Sequence, residues 1–157
     1  HKYLLTAFKD GNNIEARGNM LASSSMGSTA FQKGLGAIHS LSHPVGAIYN
    51  THHGLTNAVF MPYVLIKNKD AIENRIESLA RYINLPDPNF DGFIKWILDL
   101  RNKLSVPHTL KELIKDDEKF EEMSVMAFND PSTGGNPIQL TDKDFLQLYR
   151  DAYNGKL

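Results

Sequence analysis

From Gly34 to Ile66 the chain runs for 33 residues, GLGAIHSLSHPVGAIYNTHHGLTNAVFMPYVLI, without one Asp, Glu, Lys or Arg. The whole chain is 22% charged, so a gap of this length is not expected by chance. An uncharged stretch has two ordinary fates, burial against the rest of the chain or insertion in a membrane. The second fails here, because His, Asn, Pro and Gly interrupt the run long before about 20 apolar residues accumulate. The run is therefore expected to lie deep in a core, with the remaining elements built around it.

The flanking sequence reads as helices joined by short connectors. Asp70 to Ile83 is the clearest case: Ile72, Ile76, Leu79, Ala80 and Ile83 repeat at helical spacing, with Glu73, Asn74, Glu77 and Arg81 elsewhere on the wheel. LPDPNFDG ends that helix, and Phe90 to Leu104 supplies another before Pro107. Asp116 to Ala127 and Thr141 to Tyr153 follow, the last opening on a capping residue and closing at Gly155, with NDPSTGGNP as a loop between them. Upstream, Asn12 and Asn13 offer a cap for IEARGNMLASSSMGSTAF, and Gly54 to Lys67 is apolar on most faces, with a bend expected at Pro62. Alternating strand patterns are nearly absent. The expected fold is all-α, a bundle of about seven or eight helices in a single domain over residues 1–157.

Several function classes drop out on composition. A formal net charge of −1, with no basic run, gives no attraction for nucleic acid or an anionic membrane. The absence of cysteine excludes disulfides and thiolate metal sites, and fits a cytoplasmic setting. The chain also opens in mid-pattern, Tyr3, Leu4, Ala7 and Phe8 forming an apolar stripe, which suggests part of a longer protein.

The uncharged run holds four of the six histidines: His39, His43, His52 and His53. His39 and His43 are four apart, so a helix puts them on one face, a usual way to offer two imidazoles to one metal. A turn at Asn50 and Thr51 would let His53 open the next helix and converge on the same point. His52 must then point elsewhere. Isolated buried histidines are more often hydrogen-bonded core residues than ligands, but four together would each need partners for both ring nitrogens. Two weaker motifs carry nothing. The GLG at Gly34 lacks the third glycine and the preceding strand of a dinucleotide loop, and SLSH lacks a nucleophile elbow. Both glycines fit close packing instead.

The run AFQKGLGAIHSLSHPVGAIYNTHHGLTNAVFMPYV resembles the signature of the iron-containing (group III) alcohol dehydrogenases. IEARGNMLASS upstream, and VPHTL and NDPSTGGNPIQLT downstream, are similar to other segments of that family, so the resemblance spans essentially the whole chain. It implies the C-terminal helical domain of a two-domain enzyme whose missing N-terminal domain binds NAD or NADP. It implies a divalent metal, usually Fe2+, held by one Asp and three His. His39 and His53 match two of those ligands, and His43 matches a histidine beside the metal, near substrate and nicotinamide. Phe31 matches an aromatic at the nicotinamide end. The other two ligands belong upstream of the EAR segment, before this chain starts.

The resemblance thus implies half a metal site, no activity for the isolated stretch, a small alcohol or aldehyde substrate and homo-oligomeric assembly. Ligand softness alone allows Fe, Zn, Ni or Co on nitrogen and oxygen donors. Two other readings of the residues stand beside it. One is a helical interaction module with structural histidines. The other is a metal hydrolase on His39, His43 and His53, although no H-E-x-x-H base accompanies them.

Overall fold

The computed structural model describes residues 1–157, and every regular element in it is helical. The chain forms two compact units, residues 1–34 and 35–157.

The first unit holds α1 (Leu4–Lys9) and α2 (Ile14–Ala30), followed by a 3-10 turn, Phe31–Lys33. Asn13 caps α2 as its type suggests, the side chain accepting from Ala16 N–H at 2.9 Å. Small residues dominate α2, and Ala16 is its one buried residue.

The second unit is organised by the uncharged run, which folds as the hairpin α3 (Ala37–Tyr49) and α4 (His53–Lys67). Asn50 makes the turn in the left-handed region (φ 53°), a conformation that asparagine tolerates, and its N–H closes α3 on Gly46 O at 3.0 Å. Leu41, Val45, Val59 and Phe60 face inward and are fully buried. Around them pack α7 (Phe120–Phe128) and α8 (Asp142–Asn154). An aromatic chain crosses this core: Phe60 meets Tyr149 edge-on at 5.6 Å, and Tyr149 stacks on Phe120 at 5.4 Å. The Tyr149 hydroxyl donates to Leu41 O at 2.8 Å, so its one polar atom is satisfied in the interior. Between α4 and α7 in sequence, α5 (Lys69–Tyr82) and α6 (Phe90–Lys103) form a smaller cluster of Ala80, Phe93 and Ile97 against Met61 and Leu65 of α4.

Two boundaries differ from the periodicity. The helix expected from Asp116 starts at Phe120, because Asp116 turns its carboxylate to the Tyr49 hydroxyl (3.0 Å) and to Glu118 N–H. NDPSTGGNP contains a 3-10 helix, Pro131–Gly135, capped by Asp130 through Ser132 N–H at 2.8 Å. Next to it a side-chain clamp joins three segments. Asn136 Oδ1 accepts from Ala37 N–H (3.2 Å) and Asn68 Nδ2 (3.0 Å), while its Nδ2 donates to Asn68 Oδ1 (2.9 Å). The start of α3, the end of α4 and the segment before α8 are thereby fixed to one another.

Candidate metal and substrate site

The expectation of deep burial fails on the outer face of the hairpin. His39 is half-buried, while His43, His52 and His53 are exposed. The run lacks charge throughout, yet only its inward positions are core. The GLG glycines also separate: Gly34 takes φ 100°, and a Cβ on Gly36 would crowd Asn136 Oδ1 at 3.2 Å.

Three of the four histidines come together. His39 and His43 lie one turn apart on α3, and His53 is the first residue of α4. Their ring centroids are 5.2 Å (His39–His53), 5.4 Å (His43–His53) and 5.8 Å (His39–His43) apart. His52 is set aside by its own hydrogen bond: it caps α4, its Nδ1 accepting from Leu55 N–H at 3.3 Å. Phe31 sits on the 3-10 turn of the first unit, 56% exposed.

Asn57, one turn along α4 from His53, organises the pair that the sequence singles out. Its Nδ2 lies 3.3 Å from His39 Nε2 and 3.1 Å from His53 Nε2, so both Nε2 atoms face one point. An amide nitrogen can only donate, which makes both Nε2 atoms acceptors and places the proton of each neutral ring on Nδ1. His53 Nδ1 then has Ser42 Oγ at 3.4 Å, and Ser42 in turn donates to His39 O at 3.2 Å. Asn57 Oδ1 is buried with no hydrogen-bond partner. Burial, then the neighbouring His53 and His43, push the His39 imidazole below its ordinary pKa, which favours the neutral, ligating form.

His43 is oriented differently. Its ring lies within 14° of parallel to that of His53, and its Nδ1 is 2.8 Å from Asp130 Oδ2. Burial raises the Asp130 carboxyl, but hydrogen bonds from His43 and Ser132 outweigh this and hold it below the usual range. No group of three or more His, Asp or Glu side chains is placed to hold a metal ion. With His43 committed to Asp130, the donor set is the pair His39 and His53. Two imidazoles aimed at one point, with no thiolate, suit a borderline divalent metal, but two donors do not complete a coordination sphere.

Sequence reasoning missed Asn57 and Asp130. Asn57 had a legible signal, since it is one helical turn from a proposed ligand. Asp130 is 87 residues from His43, and nothing in its local sequence announces the partner.

The fold is an all-helical domain that presents paired imidazoles on a helix hairpin. Comparison with known proteins identifies its family. Residues 1–153 match the model of the Fe-containing alcohol dehydrogenase family, C-terminal part, and the chain belongs to that family. It is 34% identical to the 4-hydroxybutyrate dehydrogenase of Cupriavidus necator, over 93% of this chain and 40% of that protein. It is 30% identical to alcohol dehydrogenase 4 of Saccharomyces cerevisiae, over 96% of this chain and 40% of that protein. Among solved structures, the iron-containing alcohol dehydrogenase of Thermococcus thioreducens superposes with a TM-score of 0.86 at 31% identity, covering 98% of this chain and 41% of that one. A 1,3-propanediol oxidoreductase superposes at 0.90, with 26% identity, over 97% of this chain and 42% of that one. The chain thus spans about two fifths of the length of these relatives. The all-α expectation holds, with eight α-helices. No helix is long and apolar enough to cross a membrane.

Proposed function

We propose that this chain is the C-terminal catalytic part of an NAD(P)-dependent, metal-dependent alcohol dehydrogenase. The intact protein would interconvert a small alcohol and its aldehyde or ketone by hydride transfer. The observation that carries the reading is the convergence of His39 Nε2 and His53 Nε2 on the single Asn57 nitrogen. These two residues would hold a divalent metal, Fe2+ by family membership, with the remaining ligands and the nicotinamide supplied by the rest of the protein. When bound, the metal supplies Lewis acidity toward the substrate oxygen.

The chain's own residues have three tasks. His39 and His53 would offer Nε2 to the metal in place of the Asn57 amide, with the Ser42 hydroxyl beside Nδ1 of His53. His43, beside them and open to solvent, takes the hydroxyl proton at Nε2 during oxidation and returns it during reduction. By its resemblance to the family's aromatic, Phe31 would contact the nicotinamide. Hydride transfer itself belongs to the nicotinamide. Homo-oligomeric assembly and a cytoplasmic setting belong to this reading as well.

The test uses the full-length parent. His39→Ala and His53→Ala should each lower bound metal, measured by elemental analysis, and abolish NAD(P)-linked alcohol oxidation. Retention of both metal and activity in either variant would refute the assignment. The 157-residue chain by itself should oxidise no alcohol and bind Fe2+ or Zn2+ weakly. Tight stoichiometric binding in a calorimetric titration of this chain would contradict the half-site.

A further inference from the structure

The hydrogen bond between His43 and Asp130 joins a side chain 42% exposed to one 13% exposed. Solvent at the His43 end limits what the pair adds to stability. Asp130 could cap the 3-10 helix with one oxygen alone, as Oδ1 does through Ser132 N–H. Its second oxygen is spent on a ring from another helix, 87 residues away.

We propose that Asp130 is the positioning residue for His43. Its Oδ2, 2.8 Å from Nδ1, fixes the ring in the Nδ1–H tautomer and leaves Nε2 as the nitrogen that exchanges a proton with the substrate hydroxyl. The inference rests on the dehydrogenase reading above and adds to it the residue that sets the relay.

Three observations support it. A carboxylate accepts and does not donate, so the tautomer it imposes is unambiguous. The direction of the Asp130 shift keeps that carboxylate ionised at neutral pH. The carboxylate is also anchored to the helix that carries His43. The segment after it is tied down by Thr133 Oγ1, 2.7 Å from Ala127 O and 2.8 Å from Ser40 Oγ on α3. The segment that carries the carboxylate is thus hydrogen-bonded to the helix that carries the ring. In oxidation the O–H bond of the alcohol would break and an Nε2–H bond form on His43, with an oxidised nicotinamide, when bound, supplying the hydride acceptor for the carbon-bound hydrogen. Asp130 keeps its hydrogen bond throughout and takes no proton.

The experiment uses the full-length, metal-loaded parent with NAD+ or NADP+ and whichever of 4-hydroxybutyrate, 1-butanol or 1,3-propanediol it oxidises fastest. Asp130→Asn can present an N–H to Nδ1 and so admit the wrong tautomer. It should lower kcat roughly 10- to 100-fold with metal content unchanged. KM should stay within about threefold, because the loss falls on a step after binding. Asp130→Glu, which keeps the charge, should recover much of the rate. His43→Ala combined with Asp130→Asn should be no slower than His43→Ala alone. If His43→Ala is impaired while Asp130→Asn matches wild type, the inference fails and the dehydrogenase reading survives. Loss of metal or of folding in both Asp130 variants would make the role structural and overturn it. Normal turnover by His43→Ala would sink the relay itself, and Asp130 with it.

Discussion

The two faces of the α3–α4 hairpin come from one uncharged stretch yet obey different physics. Inward, Leu41, Val45, Val59 and Phe60 are wholly excluded from water. Outward, His43 and His53 are exposed and His39 is half-buried. Charge is missing inward because an unpaired ion would be costly to bury. Outward, on the proposed function, a Lys or Arg among the imidazoles would oppose a bound cation. The lack of charge thus spans a buried face and an open one. Mutations that separate stability from chemistry should therefore sort by face.

The largest expected effect is inward. Phe60→Ala removes a fully buried ring and its edge-on contact with Tyr149, and should cost about 3–5 kcal/mol in denaturant unfolding. A loss below about 1 kcal/mol would mean that the inward face is not the core. Asn136→Ala comes next. It strands the Ala37 N–H and both polar atoms of Asn68, which are 4% exposed as a residue, and should cost about 2 kcal/mol by the same measurement. Because α3 starts at Ala37, this variant should also loosen His39, visible as faster amide exchange in the first turn of α3.

Much of this was legible in the residues. Helical periodicity placed α5, α6 and α8 to within a residue or two, since each buries one stripe against the rest. Thr141 and Gly155 marked the two ends of α8 through capping chemistry that acts locally. The hairpin and the meeting of His39, His43 and His53 followed from four-residue spacing and the Asn50 turn. Its depth did not follow, because uncharged sequence cannot distinguish burial from an open face that excludes ions. The late start of α7 depends on Asp116 meeting Tyr49, 67 residues away, and the Asp130–His43 bond spans 87. Such pairings are set by packing and leave no local trace.

A smaller effect lies at the edge of the hairpin, where Lys67 at the end of α4 meets Asp144 in the first turn of α8 at 2.7 Å. The hydrogen bond from Lys67 lowers the Asp144 carboxyl from 3.8 to about 2; burial opposes this, and Thr141 N–H and hydroxyl assist. A depressed carboxylate stabilises the fold above its unfolded value, and that stability is lost as pH falls from 3.8 toward about 2. With side chains 38% and 29% exposed, solvent screening limits the contribution to about 1 kcal/mol. Lys67→Met should flatten this part of the acid-unfolding curve and leave stability at higher pH lower by a similar amount. An unchanged curve would show the pair to be idle.

The smallest effect on stability is expected at the outward face. His39→Ala and His53→Ala each remove a ring that fills no part of the core cluster. Asn57 Nδ2 keeps the other imidazole as acceptor in either variant, so no new buried donor is stranded. Without metal, the unfolding free energy should change by no more than about 0.5 kcal/mol, as for substitutions away from packed sites. With Zn2+ or Fe2+ present in the full-length protein, wild type should gain stability with metal concentration while both variants stay flat, since only a ligand that binds the folded state raises its stability. A metal-free loss as large as that of Phe60→Ala would place the histidines in the core after all and erase the distinction between the two faces.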